Sequence, residues 1–298
     1  MSHDINIDTR TKLIDLPATQ NMLAQLNSLR SRQEYAKNIR AFDDWLNGRR
    51  FDRTSVLEYV SYCEKRGLAP ATINQRLASI RGIVREAEAA QMIPYDVARP
   101  ILSIRDRKAR RVRSAAWLER DQIEEILAGC SGTPKSVRDR ALFAVAIATG
   151  LRRAELASLT WSQLTRRRRK YFLMGVATKG GKIRDIVIQE SAMKWLNKWG
   201  KLSGKKGPIF KRIRKGGTIQ EVGISARAIS QISEKLCRAI GMEIAAHDLR
   251  RTYANLLYEA QVPVREIQRL LGHSSIKTTE EYLKPIKDAQ IRDDYFTF

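Results

Sequence analysis

Apolar positions in the first hundred residues recur at helical spacing, and the segment reads as helices only. Ser31 with Glu34 forms a capping-box signature ahead of Tyr35, Ile39, Phe42, Trp45 and Leu46, and Gly48 is the expected stop. Ser55 with Glu58 repeats the signature before Val56, Leu57, Tyr59, Val60 and Cys63, with Gly67 ending that helix. Pro70 opens a longer helix whose apolar face carries Ile73, Leu77, Ile80, Val84 and Ala87. Its other face carries Asn74, Arg76, Arg81 and Arg85; basic side chains spaced along one helix can follow a phosphate backbone.

The pattern breaks at 105–113, where Arg105, Arg107, Lys108, Arg110, Arg111 and Arg113 leave almost nothing apolar to bury. This stretch reads as a basic linker lying on DNA, between a helical domain at 1–104 and a second domain at 114–298. Beyond it, Leu118, Ile123, Ile126 and Leu127 mark a helix. Val137 to Thr149 is nearly all apolar, which predicts a buried helix stopped by Gly150. Tyr171 to Val176 and Ile183 to Ile188 read as strands joined by a turn at 178–182. Phe210 to Gly217 reads as a basic loop that includes Arg212 and Arg214, and helical patterns resume after it.

Charge narrows the partner. The 298 residues include 55 Lys and Arg against 32 Asp and Glu, a formal charge of +23. Such a surplus points to nucleic acid, here double-stranded DNA. A membrane surface is the rival, but the sequence has no basic amphipathic helix with a broad lipid-facing stripe and no run of 18 apolar residues. Met1 to Asp8 is polar and acidic rather than signal-like, so a cytoplasmic, nucleoid-associated protein is expected. Cys63, Cys130 and Cys237 lie far apart with no zinc-ligand spacing and read as reduced thiols.

The chemistry sits mostly in the last fifty residues: His247-Asp248-Leu249-Arg250, then Leu271-Gly272-His273, then Tyr282. Upstream, TGLRRAEL supplies Arg152 and, three residues on, Glu155, suited to orienting that arginine. Attack on a phosphodiester is opposed by the diester's negative charge and by a poor alkoxide leaving group. A guanidinium stays charged and can bond two non-bridging oxygens. A lysine or histidine near the leaving oxygen can protonate it. A tyrosine nucleophile conserves bond energy in a phosphotyrosine ester, so rejoining needs no ATP. No Walker-type loop or two-metal carboxylate cluster is evident, and neither a metal nor another cofactor is expected.

Arg152, Lys179 in the glycine turn, His247, Arg250, His273 and Tyr282 nine residues later resemble, in order, the active-site set of the tyrosine recombinases, also called the phage integrase family. GLAPATINQRLASIRGIV at 67–84 is similar to the third-helix region of that family's core-binding domain. The resemblance implies a mainly α fold: an all-helical, SAM-like DNA-binding domain, then an α+β catalytic domain with a small antiparallel sheet. It also implies roles. Tyr282 would attack the phosphate to give a 3′-phosphotyrosyl link, and Arg152 and Arg250 would hold the phosphate. Lys179 would protonate the 5′ oxygen, His247 would assist at the nucleophile, and His273 would bond the phosphate. Four protomers, a homotetramer or one shared with a paralogous recombinase, would exchange strands at paired recombination sites through a Holliday junction.

Alternatives remain at three positions. Lys182 competes with Lys179 as the turn lysine and otherwise reads as a DNA contact; Tyr295, near the end of the chain, is a rival nucleophile; and Arg251 stands where relatives often carry histidine. Few residues precede the first expected helix, so a simple two-domain member similar to the Xer and Cre proteins is expected, without the arm-binding domain of larger phage integrases. A type IB topoisomerase-like relaxing enzyme would use the same nucleophile, and a non-catalytic DNA-binding accessory protein would need none.

Overall fold

A computed structural model describes residues 12–108, 116–178 and 182–283. The chain divides into two compact units, Met1–Arg113 and Ser114–Phe298. Lys179, Arg110, Arg111 and Tyr295 lie outside the described residues.

The first unit is helical: α1 (Pro17–Gln25), α2 (Leu29–Leu46), α3 (Arg53–Lys65), α4 (Pro70–Ala89) and α5 (Tyr95–Leu102). Ile39, Phe42, Val56, Tyr59, Ile73, Leu77 and Ile80 close its core, so the apolar stripes read along the sequence are the buried faces. Pro70 occupies the first turn of α4, where its missing N–H costs nothing. Both expected caps shift upstream. Ser28 caps α2 by accepting from the Ser31 N–H at 3.0 Å, and Asp52 caps α3 by accepting from the Ser55 N–H at 2.9 Å. In each case another short polar side chain three residues earlier takes the role, adding most of a turn.

Two arginines of the basic row on α4 have hydrogen-bond partners within the unit, and Arg85 has none of these. Arg76 donates to Tyr59 Oη at 2.8 Å, and Arg81 donates to the Ile104 carbonyl and, at 2.8 Å, to Asp106. Arg107 pairs with Glu64 at 2.6 Å, while its backbone exchanges hydrogen bonds with the Asn74 amide at 2.7 and 2.9 Å. The start of the expected linker is therefore laid on α4, and Arg76, Arg81 and Arg107 serve internal contacts. Arg85 and Lys108 are exposed.

In the second unit α6 (Arg120–Ala128) precedes α7 (Pro134–Thr149), α8 (Arg153–Ser158), strands β1 (Leu164–Arg167), β2 (Lys170–Ala177) and β3 (Ile183–Ile188), and α9 (Glu190–Ser203). Then follow β4 (Lys211–Ile213), β5 (Ile219–Gly223), α10 (Ala226–Arg238), α11 (Ala246–Glu259) and α12 (Val264–Leu271). A last helix begins at residue 276 and carries Tyr282. From Val137 to Thr149 every residue of α7 is buried, and the helix packs against α9 and α11. Each fully buried Leu or Phe there contributes about 1.5–3 kcal/mol.

Strands β1, β2 and β3 form an antiparallel sheet in sequence order, with Leu164 opposite Leu173 and Tyr171 opposite Ile188. The first hairpin turns through Arg168 and Arg169, both left-handed at φ 46° and 66°. Two-residue hairpin turns of this hand usually use Asn-Gly, so the arginines concealed β1. The stretch expected to be a basic loop contributes a strand instead. In β4, Lys211 is buried and bonds Glu221 of β5 at 2.8 Å, while Arg212 and, just after the strand, Arg214 are exposed. Among the described residues no helix is long and apolar enough to cross a membrane.

Candidate active site

Four chain segments bring the site together. Gly150 ends α7 in the left-handed conformation at φ 59°, where a Cβ would lie 2.3 Å from the Tyr253 ring. That close turn sets Arg152 immediately before α8. There the Glu155 carboxylate accepts the Arg152 N–H at 2.9 Å and the Arg152 guanidinium at 3.0 Å. One carboxylate thus caps the helix and aims the arginine; Glu155 itself is buried.

Helix α11 supplies the second segment. Asp248 accepts the Ala245 N–H at 2.9 Å and so starts the helix beside His247. His247, Arg250 and Arg251 fall at i, i+3 and i+4 on one face, while Leu249 and Ala254 enter the interior. Arg250 is fully buried. It donates to the Gly150 carbonyl at 2.6 Å and to the Leu271 carbonyl, tying the end of α7 to the end of α12.

The third and fourth segments follow without a gap. Gly272, at φ 66°, ends α12, and the His273 N–H bonds the Gln268 carbonyl at 3.1 Å. His273 Nδ1 shares a 2.9 Å hydrogen bond with Thr279 Oγ1 on the last helix. Three residues on, Tyr282 Oη is hydrogen-bonded to His247 Nε2. The tyrosine ring meets both imidazoles edge to face, with centroids 5.6 Å from His247 and 5.0 Å from His273. Arg251 lies over the same ring at 5.2 Å.

The electrostatics follow from burying cations together. Burial, reinforced by Arg250, pulls His247 below its ordinary pKa, and burial with Arg250 and Arg152 brings His273 down to about 4. Both imidazoles are neutral at pH 7. Burial also pulls Arg250 down to about 10, with Arg152 adding to the effect, and the guanidinium stays charged at neutral pH. Tyr282 is pushed up by burial, against the pull of Arg250, Arg251 and Arg152, so the phenol keeps its proton at rest. A phosphate entering here would meet clustered guanidiniums whose mutual repulsion it relieves.

Of the residues singled out by sequence, Arg152, Glu155, His247, Arg250, His273 and Tyr282 meet in one place. Lys182 is exposed at the edge of β3. Sequence reading overlooked Thr279 and Arg184. Arg184 donates to the Leu270 carbonyl and lies 3.8 Å from Glu155. Its signal was available: side chains alternate along a strand, and Arg184 shares the parity of the buried Ile186 and Ile188, whereas Ile183 and Val187 are exposed. A charged residue on the inward face of a strand asks for a partner.

The pattern of the phage integrase family matches residues 116–288, and that of the phage integrase N-terminal SAM-like domain matches residues 20–91. Tyrosine recombinase XerC of Xylella fastidiosa (strain M23) is 30% identical over 249 residues, 80% of each chain. The Tn1549 transposon integrase (residues 82–397, Y379F) in complex with transposon right end DNA superposes with a TM-score of 0.71 at 16% identity, covering 91% of this chain and 94% of that one. A lambda integrase tetramer bound to a Holliday junction gives a TM-score of 0.66 at 19% identity, covering 89% of this chain and 74% of that one.

Proposed function

The chain belongs to the phage integrase family and is a site-specific tyrosine recombinase, a DNA breaking and rejoining enzyme; from that premise we propose how its own residues perform the reaction. Tyr282 Oη attacks the scissile phosphorus and passes its proton to His247 Nε2, the bond already present in the resting site. The neutral state of His247 suits it to that role. Arg152 and Arg250 hold the non-bridging oxygens and stabilise the charge that builds on them. The 2.9 Å hydrogen bond between His273 Nδ1 and Thr279 Oγ1 orients the imidazole, and in the tautomer protonated at Nε2, with the threonine hydroxyl donating to Nδ1, His273 donates a hydrogen bond to the phosphate. Lys179 protonates the departing 5′ oxygen. The P–O5′ bond breaks, a 3′-phosphotyrosyl ester forms, and the reverse reaction with another 5′ hydroxyl rejoins the strand. Rejoining needs no ATP, because the ester conserves the bond energy, and the guanidiniums supply the charge stabilisation for which a metal would otherwise be used.

The exposed Arg85, Lys108, Lys182, Arg212 and Arg214, with Arg110 and Arg111, form the proposed backbone contacts. Four protomers act on two sites through a Holliday junction, a reading supported by the lambda integrase tetramer bound to a Holliday junction. A homotetramer is the simplest form, with a paralogous partner as the variant. The enzyme works on cytoplasmic, nucleoid DNA. The observation that carries this reading is the Tyr282–His247 hydrogen bond inside the arginine cluster. The test is a nicked suicide duplex carrying the chain's own recombination site. Protein should become covalently trapped on it, and intact sites should give recombinant products; site-independent relaxation of supercoils without recombinants would point to a topoisomerase-like activity instead.

A further inference from the structure

Arg184 has no part in the reaction described above, yet it touches the site from behind. It stands on the inward face of β3, on the side of the buried Ile186 and Ile188. One end of its guanidinium donates to the Leu270 carbonyl, and the other lies 3.8 Å from Glu155 Oε2, the oxygen that accepts the Arg152 N–H. Its side chain is 18% exposed and that of Glu155 is 5%, so solvent screens their attraction little. Arg250 holds the next carbonyl, Leu271, and two adjacent carbonyls at the end of α12 are thereby each held by a guanidinium. Gly272 follows at once, and a Cβ there would come within 3.3 Å of the Arg184 guanidinium. His273 comes next. The packing leaves little room for this end of α12 to drift.

We propose that Arg184 is a positioning residue for recombination: it locks the Arg152–Glu155 pair to the end of α12, so that Arg152 and His273 face one phosphate in fixed register. Without it, Glu155 loses the cation on its outer side and can swing, taking the Arg152 guanidinium with it. The Leu270 carbonyl loses its donor, and the Gly272–His273 turn loosens. Catalytic geometry is sensitive to such slack: a displacement of one ångström costs about a hundredfold in rate.

The inference rests on the reading of Arg152 as a phosphate ligand, and the test separates the two. Single-turnover cleavage by the full chain is measured on an ordinary suicide duplex and on one with a methylphosphonate at the scissile position, where a neutral methyl replaces a charged oxygen. Arg152→Ala should be slow on the phosphodiester and much less impaired on the methylphosphonate, because the charge it neutralises is gone. Arg184→Gln should bind DNA as the parent does, lose about a hundredfold on the phosphodiester, and show the same relief. Combining it with Glu155→Gln should cost less than the two separate losses multiplied together. Arg184→Lys keeps the buried charge and one donor; it should fall between parent and Arg184→Gln, and it decides the matter if Arg184→Gln does not fold. An equal loss on both substrates, full activity, or independent effects of Arg184 and Glu155 would overturn the positioning role alone. Absence of relief in Arg152→Ala would overturn the phosphate-ligand reading, and the inference with it.

Discussion

The resting hydrogen bond between Tyr282 and His247 fixes how cleavage must depend on pH. His247 has to be neutral to take the phenol proton, and burial next to Arg250 places its pKa below the ordinary 6.5. At subsaturating duplex the rate reports the free enzyme's ionisations. Cleavage should therefore be flat from pH 9 to pH 7 and fall on the acid side with a slope of one. The direction of the shift bounds the loss. A group with a pKa of 6.5 would be about 3% neutral at pH 5, so a lower pKa limits the fall at pH 5 to less than roughly 30-fold. His273, at about 4, stays neutral across this range and adds no second limb above pH 5. His247→Asn should remove the acid limb and lower the plateau by about 10²–10⁴. The assay is single-turnover cleavage of subsaturating suicide duplex from pH 5 to 9, with the DNA affinity of Tyr282→Phe followed alongside to show that binding does not produce the acid limb. A midpoint above 6.5, a loss at pH 5 well beyond 30-fold, or an unchanged acid limb in His247→Asn would refute the assignment.

Two further results are expected. Lys179→Ala should cleave an ordinary duplex very slowly and recover on a bridging 5′-phosphorothiolate, whose sulfur leaves without a proton; equal defects on both would shift attention to Lys182. Six to ten phosphate contacts give a log K against log salt slope of roughly −5 to −9; a slope near −2 would count against the proposed backbone contacts.

Much of the fold was legible because burial follows period. The α4 stripe, the apolar run Ala141–Ala148 of α7 and the Gly150 stop are local patterns with local causes. What stayed hidden depended on partners distant in sequence. The partners of Arg76 and Arg81, namely Tyr59, Ile104 and Asp106, were not legible, because periodicity shows which side is polar but not what touches it. Strand β1 was masked by a turn built from arginines rather than Asn-Gly, and β4 and β5 by a run of charge in which only Lys211 is inward. In the site, the residues that meet were readable as motifs with fixed offsets. Arg184 carried no motif, and only its parity with Ile186 and Ile188 betrayed it.

The central claim is that Tyr282 is the atom donor of the covalent link, and the most direct measurement is to locate that link. A suicide duplex bearing the recombination site is incubated with the protein, the adduct is digested, and the DNA-linked peptide is sequenced by mass spectrometry. The tyrosine should be Tyr282, joined to a 3′ phosphate, and Tyr282→Phe should bind the duplex with unchanged affinity yet form no adduct. An adduct on Tyr295, a 5′ linkage, or an adduct that persists in Tyr282→Phe would contradict it.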